Sequence, residues 1–354
     1  MDIRYLSAWE DELNVCIRCA YCFEGCPVFR DEKMGWEVDG PRGKLILAHG
    51  LLTGEIEPSA HIADKIYSCS FCQDCVQRCS ANVSVPDIMA AARTDLKNAG
   101  FTRESIEDLV NNVESSGNIF GEELEIRPAE GETPVLIGCR FRQRPDDVER
   151  YLDILRKLGI KPRVVDEEIC CGMPQGVLGY KDDFEEYKEK FKEKFPFKKF
   201  ICLCTTCAYF ISKAYSELEP VYVINVIQEK LPEVTLKKLG VKVTYHDPCN
   251  VSRGMGMVDE PREIMDRIGA ELVEMPTSGK QSECCGGGGG LLVTDNALAS
   301  RLAGKRVRQA EELDVEYLTT LCPTCEFNLQ NTVRSTGSDV EIKNLLDLIW
   351  EALQ

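Results

Sequence analysis

Cysteine arithmetic constrains this 354-residue chain more than any other feature: eighteen of its nineteen cysteines fall into four regular constellations. The first two read Cys16-x2-Cys19-x2-Cys22-x3-Cys26-Pro27 and Cys69-x2-Cys72-x2-Cys75-x3-Cys79. The other two each hold an isolated cysteine, a Cys-Cys-Gly and a Cys-x2-Cys. They are Cys139, Cys170, Cys171, Cys204 and Cys207, then Cys249, Cys284, Cys285, Cys322 and Cys325. Thiolates at this density are metal ligands, and the spacing points to iron held with sulfide. Electron transfer is the first expectation.

The rest of the composition removes competing classes. With 44% apolar and 29% charged residues, this is ordinary globular composition with room for two or three cores. The net charge of −17 repels phosphate, so nucleic acid is an unsuitable partner. No apolar run approaches the roughly 18 residues that cross a bilayer. The start, Met1-Asp2-Ile3-Arg4-Tyr5-Leu6, carries charge and no signal-peptide core. A cytoplasmic location follows as the expectation, with membrane contact only through a partner, and a reducing compartment leaves the thiols free for metal.

Three blocks are expected along the chain. Residues 1–110 hold both four-cysteine runs among short helical patterns, including a helix near 44–52. Residues 111–133 read as a linker, because the stretch from Asp108 to Pro134 lacks periodicity. From Pro134 onward the cysteine pattern recurs at offsets of 110 to 118 residues, which predicts two copies of one unit, 134–238 and 239–354. Each copy opens with a strand (134–138, 241–245), then a helix, then a β-like run such as 161–165. Phe184, Tyr187, Phe191 and Phe195 line one face of a later helix. Strands at 199–203 and 315–320 run into the Cys-x2-Cys pairs, and helices at 224–231 and 342–353 close the copies. Alternating strands and helices predict a small, largely parallel sheet in each, with cysteines at strand ends. The fold class expected is a multidomain α+β/α-β chain: a helical two-cluster domain, then two duplicated α/β domains related by a pseudo-two-fold axis.

The run C-x2-C-x2-C-x3-C is the ligand pattern of bacterial ferredoxins, in which three close thiolates grip one [4Fe-4S] cubane and the fourth reaches the other. Three cysteines on one tight loop can cap three corners of a cube but not the fourth. Cluster A is thus expected on Cys16, Cys19, Cys22 and Cys79, and cluster B on Cys69, Cys72, Cys75 and Cys26. Zinc would more often take two pairs than two complete quartets.

The later units offer five thiols each, one more than a cubane uses. Neighbouring side chains diverge, so a Cys-Cys pair suits an iron–sulfur assembly of unusual shape, with one thiolate bridging irons. A zinc site on four of the five, or a regulatory dithiol, stays open. Gly286–Gly290 directly follows Cys285, and Gly172 holds the matching place in the first unit. These glycines, Gly172, Gly286 and Gly287 foremost, either let backbone amides approach a cluster or form a flexible turn. A phosphate loop is excluded by the missing Gly-Lys-Ser/Thr.

The two units resemble the CCG (cysteine-rich) domain pair of the B-type subunit of heterodisulfide reductases from methanogenic archaea. The N-terminal block is similar to their ferredoxin-like C-type subunit, and one chain with both resembles the fused D-type subunit. The iron–sulfur subunits of glycolate and lactate oxidases share the arrangement, but often lack a full Cys-x2-Cys in one or both units. Here both are complete, as Cys204-Thr205-Thr206-Cys207 and Cys322-Pro323-Thr324-Cys325. The resemblance implies two cubanes and two noncubane [4Fe-4S] clusters, one noncubane on each five-cysteine set. It further implies an iron–sulfur oxidoreductase subunit that reduces or forms a disulfide, such as the coenzyme M–coenzyme B heterodisulfide, at those ten cluster-borne cysteines. The alternative is an electron-transfer subunit of a flavin-linked 2-hydroxyacid dehydrogenase without its own substrate site.

Other residues carry less. His246, in Tyr-His-Asp-Pro-Cys, would either deliver a proton to a departing thiolate or orient the cysteine loop. Cys202, the unmatched thiol, reads as a small buried hydrophobe. His49 and His61 read as packing or surface residues and the Lys/Glu run from Asp182 to Lys199 as a solvated helix face or at best a docking surface; Arg42 and Lys44 offer charges for steering an acidic partner, a role the sequence does not favour. No Gly-x-Gly-x-x-Gly follows a strand, so the expected partner is a flavoprotein, a ferredoxin-like carrier or a membrane cytochrome subunit.

Overall fold

The computed structural model describes residues 3–354, so Met1 and Asp2 of the charged start lie outside the described residues. The N-terminal block is helical because its apolar residues recur at helical spacing between glycine and proline stops. Helices Pro41–Thr53, Ala60–Tyr67 and Val85–Asn98 bury Leu45, Ala48, Ile66, Ile88 and Leu96 against one another. Pro41 starts the first of these, and Gly54, at φ +74°, ends it. The expected helix near 44–52 lies within it.

The stretch read as aperiodic is partly helix. Glu104–Ser116 buries Ile106, Val110 and Val113, and stops at Gly117 with φ +69°. Its apolar side is only three residues wide, and the polar pair Asn111-Asn112 interrupts it, so the helical period is faint in the sequence. Irregular chain follows to Glu132.

Two four-stranded, all-parallel sheets follow. The first comprises β1 (Thr133–Leu136), β2 (Pro162–Arg163), β3 (Lys199–Cys202) and β4 (Glu219–Tyr222), in the order β2-β1-β3-β4. The second comprises β5 (Lys242–Tyr245), β6 (Glu271–Leu272), β7 (Tyr317–Thr320) and β8 (Glu341–Asn344), in the same relative order, β6-β5-β7-β8.

Two expectations need correction. The run 161–165 forms only the two-residue β2. The helix expected over 342–353 is a strand followed by a helix, Leu345–Ala352, and β4 likewise precedes helix Val223–Lys230. In both places a four-residue strand enters a helix with no intervening loop, so no turn residue marks the boundary.

The sheets are joined through helices. Pro145–Lys157 packs on Leu345–Ala352, where Trp350 Nε1 donates to Asp153 at 3.0 Å and Arg150 pairs with Asp347 at 3.1 Å. Val223–Lys230 packs on Asp259–Ile268. Arg144 grips Glu326 with a forked ion pair, its Nη2 at 2.9 Å from Oε2, while Asn344 Nδ2 donates to the same oxygen at 2.8 Å. One continuous apolar core runs through the first unit and into the second.

Candidate iron–sulfur site

The two N-terminal cysteine runs are wound identically. Arg18 and Ala20 in the first, and Phe71 and Gln73 in the second, all take left-handed backbone, at φ +56°, +68°, +58° and +65°. These are the third and fifth positions of each run. A side chain costs about 1–2 kcal/mol in that conformation, so the loops hold strain that a bound group must offset. In each run three thiols line one space beside the loop.

The enclosed spaces beside these loops cross the two runs. One is lined by Cys26 together with Cys69, Cys72 and Cys75. The other is lined by Cys16, Cys19 and Cys22 with Cys79, and Cys75 at its edge. Backbone N–H groups also reach sulfur, from Phe29 to Cys26 at 3.5 Å and from Val83 to Cys79 at 3.4 Å. Burial pushes the Cys22 thiol up to about 11 and Cys26 up to about 12, so without a metal to replace the proton these thiols stay neutral.

Lys44 is not a surface charge. It is buried, its Nζ donates to the Asp39 carbonyl, and Cys26 and Cys69 act on it. Its cation therefore faces the cavity of Cys26, Cys69, Cys72 and Cys75 rather than a partner. Arg42 is tied by Nε to Glu37 at 2.8 Å and by Nη1 to the Arg18 carbonyl at 3.0 Å. His49 lies half-buried on Pro41–Thr53, and His61 lies exposed on Ala60–Tyr67.

Each five-cysteine set closes on itself at the end of its sheet. The side chains lie within hydrogen-bond reach of one another in the series Cys139–Cys170–Cys171–Cys207–Cys204. The second set repeats it as Cys249–Cys284–Cys285–Cys325–Cys322, with 3.1 Å between the sulfurs of Cys285 and Cys325. Cys204 and Cys322 stand at the N-cap positions of helices Thr205–Ala214 and Pro323–Thr336. Hydrogen bonds from neighbouring thiols hold Cys171 and Cys285 below the ordinary thiol range, while Cys207 and Cys325 are held above it by the same sharing. All these cysteines are free thiols.

Cys202 is buried as expected, but it is not inert packing. Its thiol donates to the Cys204 carbonyl at 3.3 Å and lies within hydrogen-bond reach of Cys207. His246 is brought to the second set, within 4.8 Å of the sulfurs of Cys285 and Cys325.

The glycines have other neighbours than expected. A Cβ on Gly172 would meet the Phe184 and Tyr187 rings at 2.8 and 3.0 Å, and one on Gly286 the Ala299 carbonyl at 2.8 Å. Gly287 alone of the three approaches a thiol, Cys285 Sγ at 3.6 Å. The run's tightest approach is to the N-terminal block: a Cβ on Gly289 would stand 2.2 Å from the Cys69 carbonyl, and one on Gly288 2.6 Å from that of Ser70.

That contact brings the sets together. Cys72 of the N-terminal block and Cys284 of the second unit lie within side-chain hydrogen-bond reach. Two buried arginines lock the seam. Arg93 donates to the carbonyls of Cys69 and Gly289, both at 2.9 Å. Arg253 donates to the carbonyls of Cys72 at 2.6 Å and Ser282 at 2.8 Å, and pairs with Asp74 at 3.6 Å. Between the later units, Thr205 Oγ1 donates to the Leu321 carbonyl at 2.9 Å, which sets Cys204 beside Cys322. Arg140, next to Cys139, lies between the rings of Phe120 and Phe327 at 5.0 and 4.4 Å, its Nε buried without an acceptor. None of these arginines was legible in sequence, because their partners lie up to 196 residues away.

The donor chemistry fits iron–sulfur groups: thiols converge in enclosed spaces, main-chain N–H groups reach sulfur, and matched backbone strain winds the loops. Family models agree. The 4Fe-4S dicluster domain matches residues 12–83, and the cysteine-rich domain (CCG) matches twice, at 135–209 and 243–330. Fold and site thus define an iron–sulfur protein in which a 4Fe-4S dicluster domain precedes cysteine-rich domains.

Its relatives narrow the class. The chain is 28% identical to a fumarate reductase (CoM/CoB) subunit of Methanothermobacter marburgensis, over 96% of this chain and 72% of that protein. It is 25% identical to a subunit of the dihydromethanophenazine:CoB–CoM heterodisulfide reductase of Methanosarcina barkeri, over 97% of this chain and 94% of that protein. The fold resembles a hypothetical protein from Helicobacter pylori, with a TM-score of 0.59 at 10% identity, covering 99% of this chain and 76% of that one. The chain is an iron–sulfur electron-transfer subunit related to heterodisulfide reductase. No helix among the described residues is long and apolar enough to cross a membrane.

Proposed function

We propose that the chain takes electrons from a partner protein at its N-terminal domain and delivers them to paired sites in its two cysteine-rich domains, where a small disulfide is reduced or formed. Cys16, Cys19, Cys22 and Cys79 would hold one cubane and Cys26, Cys69, Cys72 and Cys75 the other. Cys139, Cys170, Cys171, Cys204 and Cys207, and Cys249, Cys284, Cys285, Cys322 and Cys325, would each hold a noncubane [4Fe-4S] cluster. Such groups supply one-electron storage and transfer when bound. The observation that carries the reading is the contact of Cys72 with Cys284, which joins an N-terminal set to a five-cysteine set through one pair of sulfurs.

The domains would be an N-terminal one ending near residue 110, a connecting segment to 133, and two copies of one unit, 134–238 and 239–354. Matching strand orders, matching thiol series and the reciprocal packing of each copy's first helix on the other's last support duplication about a pseudo-two-fold axis.

The chain's own groups have definite tasks. Arg253 and Arg93 fix the seam between domains, and the Gly288–Gly289 backbone permits its closeness. Thr205 fixes the distance between the two five-cysteine sets. Reduction of a disulfide consumes two electrons and two protons and releases two thiols. The unpaired Arg140 cation, beside the half-open Phe327, offers charge for an anionic ligand between the sets. Electron entry would be at Cys19, the exposed cysteine among those described, beside which Ile17 and Tyr21 are 71% and 66% exposed. An apolar rim of this kind suits a transient protein partner; a flavoprotein, a ferredoxin-like carrier or a membrane cytochrome subunit would each fit.

The test is anaerobic purification with iron, sulfide and zinc analysis, followed by disulfide reduction driven by a reduced dye. About sixteen irons and disulfide turnover are expected. Roughly eight irons with zinc would sink the noncubane assignment. Full iron without turnover would favour a relay serving a flavin-linked dehydrogenase.

A further inference from the structure

The two five-cysteine sets share a thiol series but differ in what surrounds it, and the difference centres on His246. Its backbone is fixed twice, by N–H donation to the Thr319 carbonyl at 2.9 Å and by Thr320 Oγ1 donating to its own carbonyl at 3.1 Å. Its ring is fixed by Arg306, whose Nε donates to His246 Nδ1 at 3.3 Å. Arg306 is itself fully buried and anchored to Thr277 Oγ1 at 2.9 Å and Gln309 Oε1 at 2.6 Å.

A guanidinium can only donate, so Nδ1 must accept, and the ring proton sits on Nε2. The Nδ1 side of the imidazole is taken by Arg306, and the ring stands within 4.8 Å of the sulfurs of Cys285 and Cys325, in hydrogen-bond reach of Cys285. The first unit has nothing equivalent. Leu136 occupies the matching strand end, and the nearby amides of Ile137 and Gly138 are taken by the Glu168 carboxylate at 2.7 and 2.8 Å. The first set has its own cation, Arg140 beside Cys139, but no imidazole N–H, and the Glu168 carboxylate there is taken up by main-chain amides.

We infer that His246, locked by Arg306 as an N–H donor to Cys285, makes the centre of the second unit the more easily reduced of the two. The inference rests on the reading that both five-cysteine sets hold iron–sulfur groups. A hydrogen bond to sulfur stabilises the state with more negative charge on sulfur, and this is one of the means by which a protein raises a reduction potential. The second unit is also the one whose Cys284 meets Cys72, so the site beside the N-terminal domain becomes the better first acceptor.

The experiment uses the full chain purified anaerobically with its iron, as wild type, His246→Leu and His246→Gln, titrated with dithionite while EPR follows each centre. Leucine copies the first unit; glutamine keeps an N–H donor. The expected result is a lower midpoint for one centre in His246→Leu, the others unmoved, and a midpoint near wild type in His246→Gln. Unchanged midpoints in an iron-loaded His246→Leu, or an equal shift of all centres, would overturn the inference. If leucine alone costs iron, a glutamine midpoint at the wild-type value sustains it and a lower one overturns it. Iron lost from both variants would make His246 a ligand rather than a donor, which also overturns it. Wild type with zinc or no iron in the cysteine-rich units is a different failure, that of the underlying assignment.

Discussion

Arginine and lysine, rather than cysteine, separate the roles of individual positions. Cysteine spacing announces the ligand sets because a metal needs its donors close in sequence or at matched ends of elements. The cations that fix those sets act on carbonyl oxygens far along the chain and follow no spacing rule. Arg253 is the plainest case, buried and shared between Cys72, Ser282 and Asp74. Arg253→Gln should cost about 1–3 kcal/mol, since the buried carbonyls of Cys72 and Ser282 would lose their donor while Asp74 keeps Arg78, and chemical denaturation monitored by circular dichroism reads it. Lys44 belongs to the same group, and its removal takes away a buried cation together with its hydrogen bond to the Asp39 carbonyl. Lys44→Met, of similar length, should lower the midpoint of the centre proposed on Cys26, Cys69, Cys72 and Cys75 and leave the others unmoved in a redox titration. His246 was visible as a residue of interest beside Cys249, but its tautomer depended on Arg306, 60 residues away.

At the scale of elements, the glycine run shows how a pattern can be seen before its partner is known. Five glycines announced close approach; that they approach the Cys69–Ser70 backbone required the fold. Gly289→Ala should open the seam, since its φ is +63° and the added carbon would meet the Cys69 carbonyl at 2.2 Å. Gly256→Ala is the control, at φ +75° with open space around it. The first should be destabilised by about 1–3 kcal/mol more than the second, the usual range for overpacking, and thermal denaturation compares them. Parallel sheets, the cysteine-bearing strand ends and the principal helices were legible from alternating apolar patterns. The fourth strand of each sheet was not, because β4 and β8 are four residues long and pass directly into helices. Their β character comes from pairing with β3 and β7, a tertiary cause.

For the whole molecule, thiol burial sets how folding responds to pH when the metal is absent. Cys22 and Cys26 are raised to about 11 and about 12 in the folded chain, against about 8.5 unfolded. A raised thiol pKa favours the folded state below the unfolded value and loses that contribution as pH rises towards the folded one. The metal-free chain should therefore become less stable from about pH 8.5 upward, seen as a falling melting temperature. Iron loading should release protons and strengthen with pH over the same window. The exposed rim offers a second whole-molecule test: Ile17→Asp with Tyr21→Ala should slow reduction by a protein donor several-fold while leaving reduction by dithionite unchanged, in stopped-flow absorbance.

The account as a whole stands on the proposed order of electron passage, in which the second unit's cysteine set, in reach of Cys72 through Cys284, is reduced before the first unit's. Rapid-freeze EPR during reduction of the iron-loaded chain tests that order directly, comparing wild type with Cys284→Ser. In wild type the centre on Cys249, Cys284, Cys285, Cys322 and Cys325 should be reduced before the one on Cys139, Cys170, Cys171, Cys204 and Cys207, and Cys284→Ser should delay the latter. Reduction of the first unit's centre at the wild-type rate in Cys284→Ser, or ahead of the second unit's in wild type, would contradict it.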